Sequence, residues 1–216
     1  MKYKLIIFDL DGTLINSLPY HVKAFRNVLK EYGSRVKKSE IRKLMGISSE
    51  SIWSLLKKKY HLKQGAKKLR EERRYEYFKL LGTKNIVYSF TPSTLKTLKK
   101  KYKIAIATGS STMSLVHSVP PSFIKEFDCI VTIDKVKHGK PNPEQLFFAM
   151  KKLKIKPEEC LMIGDSIYDG LAAKKAGVDF VGVKTGYTSK KLLLENHALA
   201  VLRSVKKLPD FLSRKF

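Results

Sequence analysis

Two carboxylates near the start of the chain could carry chemistry. Asp9 and Asp11 follow the uninterrupted apolar segment Leu5–Phe8 and precede a Gly-Thr pair. An apolar run of this kind is typical of a strand buried on both faces, as in parallel sheets. In an extended backbone both carboxylates point to the same side, and their repulsion favours a bound cation or a proton. Mg²⁺ is the hard, oxygen-preferring cation that we expect, although Asp-Gly is also frequent in plain turns.

Further polar residues of chemical interest lie at or after the ends of later apolar segments. They are Thr108, Lys140, Asp165 and Asp169. Because the carboxyl ends of parallel strands lie at one edge of a sheet, we expect these side chains to gather near Asp9 and Asp11. Each has a simpler explanation when taken alone: Thr108 and the two later aspartates could cap helices, and Lys140 could be a surface lysine. Their order and their strand contexts together favour a shared site.

The elements that must position these residues follow from hydrophobic periodicity. Between residues 18 and 84 the apolar residues recur at helical spacing, and we expect helices beginning near Leu18, Ser39, Ser49 and Ala66. From Thr91 onwards helices alternate with short apolar strands, which predicts a parallel sheet covered on both sides. We expect helices there at 91–102, in a short segment that ends near residue 117, at 143–153, at 167–176 and at the end of the chain. We expect strands at 104–107, 127–133, 160–163 and 180–183.

These elements predict an α/β fold with two parts. We expect a Rossmann-like, three-layer parallel-sheet core formed by residues 1–15 and 86–216, and a helical domain formed by residues 16–85 that is inserted after the first strand. Hinges between the two parts are expected near Asn16-Ser17 and at 84–87.

The chain is strongly basic, with a formal net charge of +25. Between residues 18 and 84 it has 19 lysines and arginines against six acidic residues, an excess of 13 positive charges, so about half of the total lies on the helical insert. Such a charge permits a nucleic-acid partner. We favour a lysine-rich solvated surface instead, because the lysine runs fall in helix-like segments without interleaved aromatic residues. A positive field would also attract small anions.

Other bulk features limit the class of protein. No segment approaches the roughly 20 apolar residues of a membrane span. Met1 leads directly into the first strand, so we expect no signal peptide and a cytoplasmic protein. Cys129 and Cys160 have no partner spacing for a metal site and are interpreted as reduced core residues. The sequence leaves a monomer and a homodimer equally open.

The ordered motifs resemble those of the haloacid dehalogenase superfamily, in the phosphatase branch close to phosphoglycolate phosphatases and β-phosphoglucomutases. The segment Asp9–Leu14 matches the first motif of that family, Thr108 the second, Lys140 the third, and Gly164–Asp169 the fourth. The resemblance covers essentially the whole chain, and the inserted helices match the family's α-helical cap.

The resemblance implies a Mg²⁺-dependent phosphatase that hydrolyses a small phosphorylated metabolite, either phosphoglycolate-like or a sugar phosphate. Asp9 would attack phosphorus and form a phospho-aspartate, which divides one difficult step into two. Asp11 would protonate the leaving oxygen and then deprotonate the attacking water. Lys140 and Thr108 would complete the catalytic set by neutralising and binding the phosphoryl group.

The same resemblance implies the ligands of the metal and of the phosphate. Asp9, Asp165 and the backbone carbonyl of Asp11 would bind Mg²⁺. Asp169 would orient Lys140 or a metal-bound water. The phosphate oxygens would be bound by Leu10, Asp11, Thr108, Gly109 and Lys140.

A phosphomutase is the main alternative, because it shares the same intermediate. β-Phosphoglucomutases carry Glu-Asp where this chain has Gly164-Asp165, and a basic residue where Ser49 follows Gly46-Ile47-Ser48. Both differences favour hydrolysis. His21 stands at the position of the mutase's cap-hinge histidine and is therefore a candidate substrate-contacting residue of the cap, but we favour its interpretation as a partly exposed helix residue. The loop from Met45 to Ser49, with Gly46, Ile47 and Ser48 at its centre, is our candidate for contacting the leaving group.

Overall fold

A computed structural model describes residues 2–215, and a six-stranded parallel sheet lies at its centre. Its strands are β1 (Leu5–Phe8), β2 (Lys103–Ala107), β3 (Cys129–Val131), β4 (Cys160–Gly164), β5 (Asp179–Val183) and β6 (Ala198–Leu202). Their order across the sheet is β3-β2-β1-β4-β5-β6, and all five pairings are parallel. The apolar strand β1 therefore lies between β2 and β4, where both of its faces are buried.

Helices cover both faces of this sheet. The helices of the chain are α1 (Leu18–Glu31), α2 (Lys38–Lys43), α3 (Ser49–Tyr60), α4 (Ala66–Leu81), α5 (Thr91–Lys99), α6 (Thr112–Ser118), α7 (Pro121–Ile124), α8 (Glu144–Leu153), α9 (Ile167–Ala176), α10 (Lys190–Glu195) and α11 (Leu208–Lys215), of which those after α4 flank the sheet. Ile6 and Phe8 of β1 belong to the apolar cluster that includes α5 and α11. Leu5 and Ile7 belong to the opposite cluster, with α8 and α9. The three-layer, Rossmann-like α/β architecture is thus as predicted.

Helices α1 to α4 follow β1 and pack around an apolar cluster of their own. Trp53 of α3 is fully buried in this cluster, with its ring centroid 5.1 Å from that of Phe25 on α1. Burial of such aromatic side chains dominates the stability of a small helical cluster, and truncating Trp53 to alanine should cost about 3–5 kcal/mol. Tyr77 and Leu81 of α4 also join the cluster on the sheet side, so the helical insert is packed directly against the core.

Some elements differ from the sequence prediction. The predicted strand at 127–133 is formed only at Cys129–Val131. On its carboxyl side the chain enters a 3-10 turn at Ile133–Lys135. Helix α5 ends at Lys99 in a turn rather than continuing to residue 102. The short helices α7 and α10 were not predicted, since four and six residues are too few to show a helical period.

Two bulk expectations can be compared with the structure. Cys129 and Cys160 are both buried and unpaired, as expected of core residues. Within residues 2–215 no helix combines the length and the apolar character needed to cross a bilayer.

Candidate functional site

The site lies at the carboxyl edge of the sheet, where β1 ends. Asp9 follows β1 directly and is 4% exposed. The chain then turns tightly, with the Leu10 carbonyl accepting backbone hydrogen bonds from three of the next five residues. Gly12 makes this turn with φ of 83°, and a Cβ there would lie 2.8 Å from the Asp165 carboxylate. The glycine of the first motif is therefore required both by its backbone conformation and by the close approach of Asp165.

Lys140 extends into this site from the loop before α8. Its Nζ donates to Asp9 Oδ1 (2.7 Å), to Asp169 Oδ1 (2.6 Å) and to the carbonyl of Ala107 at the end of β2 (3.0 Å). The side chain is 1% exposed. Neighbouring carboxylates outweigh burial and raise the pKa of Lys140, so the ammonium stays charged. Lys140 is thus a fixed cation between two of the predicted aspartates, and not a surface lysine.

Asp165 and Asp169 come from the segment that joins β4 to α9. Asp169 also accepts hydrogen bonds from the backbone N–H (3.0 Å) and the hydroxyl (2.6 Å) of Ser166, which forms a capping box at the start of α9. It therefore caps the helix and holds Lys140 at the same time. Asp165 accepts one side-chain hydrogen bond, from the Thr13 hydroxyl (3.2 Å). The helix-capping role considered for Asp169 is real, and it serves to position a charged partner.

The charges of this cluster do not balance. Oxygens of Asp9, Asp165 and Asp169 lie within 4.8 Å of one another, and Lys140 contacts two of the three, Asp9 and Asp169. Burial and the neighbouring carboxylates raise the pKa of Asp165 well above its usual range. Burial likewise raises the pKa of Asp9, to about 7, although Lys140 opposes the shift. The carboxylates therefore lack a second positive charge, and a hard, oxygen-preferring divalent cation such as Mg²⁺ fits this donor set.

Asp11 faces the helical insert rather than this cluster. Its Oδ1 accepts from the hydroxyl of Ser17 (2.6 Å) and lies 3.1 Å from His21 Nε2, while its Oδ2 accepts from the hydroxyls of Ser110 (2.7 Å) and Thr108 (3.3 Å). Burial alone would raise the pKa of Asp11, but these hydrogen bonds and His21 hold it well below its usual range. The carboxylate is therefore ionised and is oriented from two sides.

His21 is 7% exposed, so our interpretation of it as a partly exposed helix residue is wrong. Its Nδ1 lies 3.0 Å from Nη1 of Arg73, which can only donate, so His21 must donate from Nε2 to Asp11. Its ring stacks on Tyr77 at a centroid distance of 4.1 Å. Burial is the main cause that lowers the pKa of His21, and the Arg73 charge adds to it. Helices α1 and α4 thus hold a neutral histidine against Asp11.

A small cavity of about 50 Å³ lies between the sheet edge and the helices, and Asp9 and Asp11 line it. From the insert, its wall includes Gly46, Ile47 and Ser49. Ser48, which we predicted beside them, is instead the N-cap of α3 and accepts a hydrogen bond from the backbone N–H of Ser51 (3.2 Å). The predicted loop from Met45 to Ser49 thus reaches the site, but Ser49 lines the cavity and Ser48 does not.

The predicted phosphate-binding residues lie close to the same cavity. Thr108 is fully buried, and its hydroxyl accepts from the backbone N–H of Ser110 (3.0 Å) besides contacting Asp11. Gly109 forms part of the cavity wall. Leu10 has a buried side chain, so its main chain is the part that can serve the site.

Sequence reasoning missed three polar residues that touch the site: Ser17, Arg73 and Ser110. Ser17 and Ser110 are neighbours of segments that we did select, and their spacing from Asp11 and Thr108 could have pointed to them. Arg73 is one of several cationic residues in α4 and is 52 positions from His21 along the chain. No local pattern distinguishes it from its exposed neighbours.

Comparisons with known proteins agree with this geometry. The model of the haloacid dehalogenase-like hydrolase family matches residues 6–183. The pyrophosphatase PpaX of Bacillus mycoides is 33% identical over 220 residues, which cover 99% of each chain. Phosphatase-named relatives of this kind mark the chain as a hydrolase of the phosphatase type.

Solved structures show the same architecture. A hydrolase from Pseudomonas syringae superposes with a TM-score of 0.89 and 29% identity over 99% of both chains. A β-phosphoglucomutase from Clostridium difficile has a TM-score of 0.84 and 24% identity, with 99% of this chain and 96% of that chain covered, which establishes a shared fold. With its site geometry, its family match and its relatives taken together, the chain belongs to the haloacid dehalogenase-like hydrolase family.

Proposed function

We propose that this enzyme is a Mg²⁺-dependent phosphatase that hydrolyses a small phosphorylated metabolite through a phospho-aspartate on Asp9. The observation that carries the proposal is the position of Lys140, fixed between Asp9 (2.7 Å) and Asp169 (2.6 Å), while Asp9 itself lines the cavity. A buried carboxylate that is held by a cation and faces a cavity suits nucleophilic attack on phosphorus. The small cavity also limits the water that can reach the intermediate.

The residues around Asp9 have separate roles in the reaction. One Oδ of Asp9 contacts Lys140, which leaves the other available for attack and for a metal. Lys140 neutralises charge on the nucleophile and on the transferring phosphoryl group, and Asp169 keeps it in place. Thr108 and the main chain of Leu10, Asp11 and Gly109 bind phosphate oxygens.

Asp11 acts as the general acid in the first step and as the general base in the second. Its ionised form is the one that accepts a proton from the attacking water in the second step. For the first step Asp11 must be protonated so that it can donate to the leaving oxygen. An incoming phosphate brings negative charge beside it, and a like charge raises a carboxyl pKa, so substrate binding shifts Asp11 in the required direction.

Mg²⁺ would be held by Asp9, Asp165 and the backbone carbonyl of Asp11. When bound, it would supply the positive charge that the three buried carboxylates lack and would let an anionic nucleophile approach an anionic phosphate.

The substrate class is a small phosphorylated compound, and the relatives suggest specific members. Phosphoglycolate and sugar phosphates follow from the motif resemblance, and inorganic pyrophosphate is suggested by the name of the PpaX relatives. Hydrolysis is favoured over a mutase reaction by Gly164. A Cβ at this position would lie 2.3 Å from Asp169 Cγ, so a glutamate could not be accommodated beside the present Asp169. The main chain here is thus built for glycine.

The test is a substrate panel with and without metal. Phosphoglycolate, pyrophosphate, β-glucose 1-phosphate and p-nitrophenyl phosphate are each incubated with the enzyme in Mg²⁺ or in EDTA, and both free phosphate and isomeric sugar phosphates are measured. We expect Mg²⁺-dependent release of free phosphate, which Asp9→Asn abolishes. An isomeric sugar phosphate as the main product would instead establish a mutase. Phosphate release that EDTA leaves unchanged would contradict the role of the acidic cluster.

A further inference from the structure

The buried face of α4 carries a cation that the reaction steps above do not use. Arg73 is 8% exposed and lines the cavity that contains Asp9 and Asp11. Its guanidinium lies over the ring of Phe25, 5.1 Å from the centroid, and Nη1 contacts the neutral His21. Among the residues described, no carboxylate lies within ion-pair distance of it. A buried charge without a direct counterion is costly, and such sites are commonly completed by a ligand.

Two polar groups at the same place lack hydrogen-bond partners. Nε of Arg73 and Oγ of Ser49 are both buried, and neither contacts a donor or acceptor in the described part of the chain. Most buried polar groups in proteins are satisfied, so two orphaned groups that line one cavity point to a missing partner. Because Nε of arginine can only donate, that partner must present an acceptor, and its position beside a cation favours an anionic one.

The two residues also stand where the cavity continues outward. Arg73 and Ser49 line a second cleft of about 250 Å³, which has Arg70 and Arg74 on its insert side and Ser111 on its core side. Glu50 pairs with Arg70 (3.0 Å), and Asp134 also borders the cleft, but Arg74 forms no ion pair with any residue that the structure describes. The cleft is therefore cationic on the insert side. A substrate whose phosphorus lies at Asp9 would extend its leaving group past Asp11 into this region.

From these observations we infer that Arg73 and Ser49 bind an anionic group on the leaving-group side of the substrate. This inference rests on the proposed function, since it assigns the substrate class of the same site. The enzyme would then select phosphorylated compounds that carry a second anion close to the scissile phosphate, which is either a carboxylate or a second phosphate. A neutral leaving group would leave the Arg73 charge without a counterion, and Arg73 Nε and Ser49 Oγ without an anionic hydrogen-bond partner.

The test uses three phosphonates that cannot be hydrolysed. Methylphosphonate carries no second anion, phosphonoacetate carries a carboxylate, and methylenediphosphonate carries a second phosphonate. Their dissociation constants are measured by calorimetry at fixed free Mg²⁺. We expect wild-type enzyme to bind at least one of the last two about 10- to 100-fold more tightly than methylphosphonate, as charge-assisted hydrogen bonds allow. The compound that gains more identifies the anion.

Matched variants separate recognition from structure. The measured quantity is the dissociation constant of methylphosphonate divided by that of the compound with a second anion. In Arg73→Gln and Ser49→Ala this ratio should fall towards one, while the affinity for methylphosphonate is kept. Arg73→Lys should recover part of the ratio. Lys67→Gln, which removes an exposed cation from the same helix, should keep the full ratio.

Hydrolysis provides a second measurement. Phosphoglycolate and phosphoglycolamide differ only in the charge of the leaving group, and Arg73→Gln should lower kcat/KM about 10- to 100-fold more for the first. An equal loss for both substrates would show that Arg73 acts only through His21, and would overturn the inference. Equal affinity of all three phosphonates for wild-type enzyme would do the same while leaving the proposed function intact. No binding of any phosphonate, with no phosphate release from any monoester, would overturn the proposed function itself.

Discussion

Replacing Lys140 by methionine should destabilise the protein as well as inactivate it. The methionine has a similar length but leaves Asp9 and Asp169 without their shared cation, in a site where the lysine side chain is 1% exposed. Breaking a buried pair by removing one partner costs about 3–5 kcal/mol. For a domain of ordinary stability, this is a large part of the total free energy of unfolding.

The loss of unfolding free energy in Lys140→Met should depend on pH in a defined direction. Without Lys140 the buried carboxylates have folded-state pKa values above their unfolded value of about 3.9, so the folded state binds more protons between these values. The unfolding free energy of the variant therefore falls as pH rises through this window. The difference between wild type and variant should be largest near pH 8 and clearly smaller near pH 5.

Urea denaturation followed by circular dichroism in EDTA measures this directly, with Lys151→Met as a control that removes an exposed lysine from α8. Adding Asp169→Asn to Lys140→Met should recover part of the lost stability, because one unpaired carboxylate is then absent. The turnover number should fall about 10²- to 10³-fold, the range seen when one charge-stabilising donor is removed. A stability loss below about 1 kcal/mol at pH 8, or one that is unchanged at pH 5, would refute the charge-balance reasoning.

Three further outcomes are expected. Asp9→Asn should keep the thermal unfolding midpoint or raise it, since it removes a buried negative charge, and should lower phosphatase turnover by at least roughly 10³-fold; residual turnover near the wild-type level would exclude Asp9 as nucleophile. Gly164→Ala should cost about 1–3 kcal/mol in urea unfolding, because its Cβ would lie 2.3 Å from Asp169 Cγ, whereas Gly65→Ala, with no atom within 4 Å of the new Cβ, serves as control. Asp179→Asn should lower stability at pH 7, because hydrogen bonds and a lysine lower the pKa of Asp179. That contribution exists above the unfolded pKa and is lost as pH falls through the folded one, so the stabilities of the two proteins should converge in acid.

The grouping of the main site residues could be predicted because parallel strands end at the same edge of a sheet. Asp9, Thr108 and Asp165 each follow an apolar strand, and parallel pairing of β1 with β2 and β4 brings the three strand ends together. Lys140 was predicted from its motif, although its loop has no strand immediately before it. Its position depends on contacts with Asp9 and Asp169 that no local pattern expresses.

The contribution of the helical insert could not be predicted in the same way. The sequence predicted α1 with its apolar face and α4 as a long charged helix, but not how these helices meet the sheet edge. His21 lies on the buried side of α1 and Arg73 on the buried side of α4. Both looked like ordinary polar helix residues, because their burial depends on packing between segments that are distant in the chain. The insert also contains many solvated lysines and arginines, so sequence patterns did not distinguish Arg73 from them.

The way the insert touches the reacting groups has a consequence for how this protein can change. Helices α1 to α4 have an apolar cluster of their own, and these helices and the loops between them supply most of the cavity wall, Ser49 and Arg73 included. The nucleophile and its lysine belong to the core that surrounds the sheet. New substrate preferences can therefore arise through exchange of one or two insert side chains, without rebuilding the chemistry. A mutant library restricted to those positions would be the economical route to redesigning selectivity.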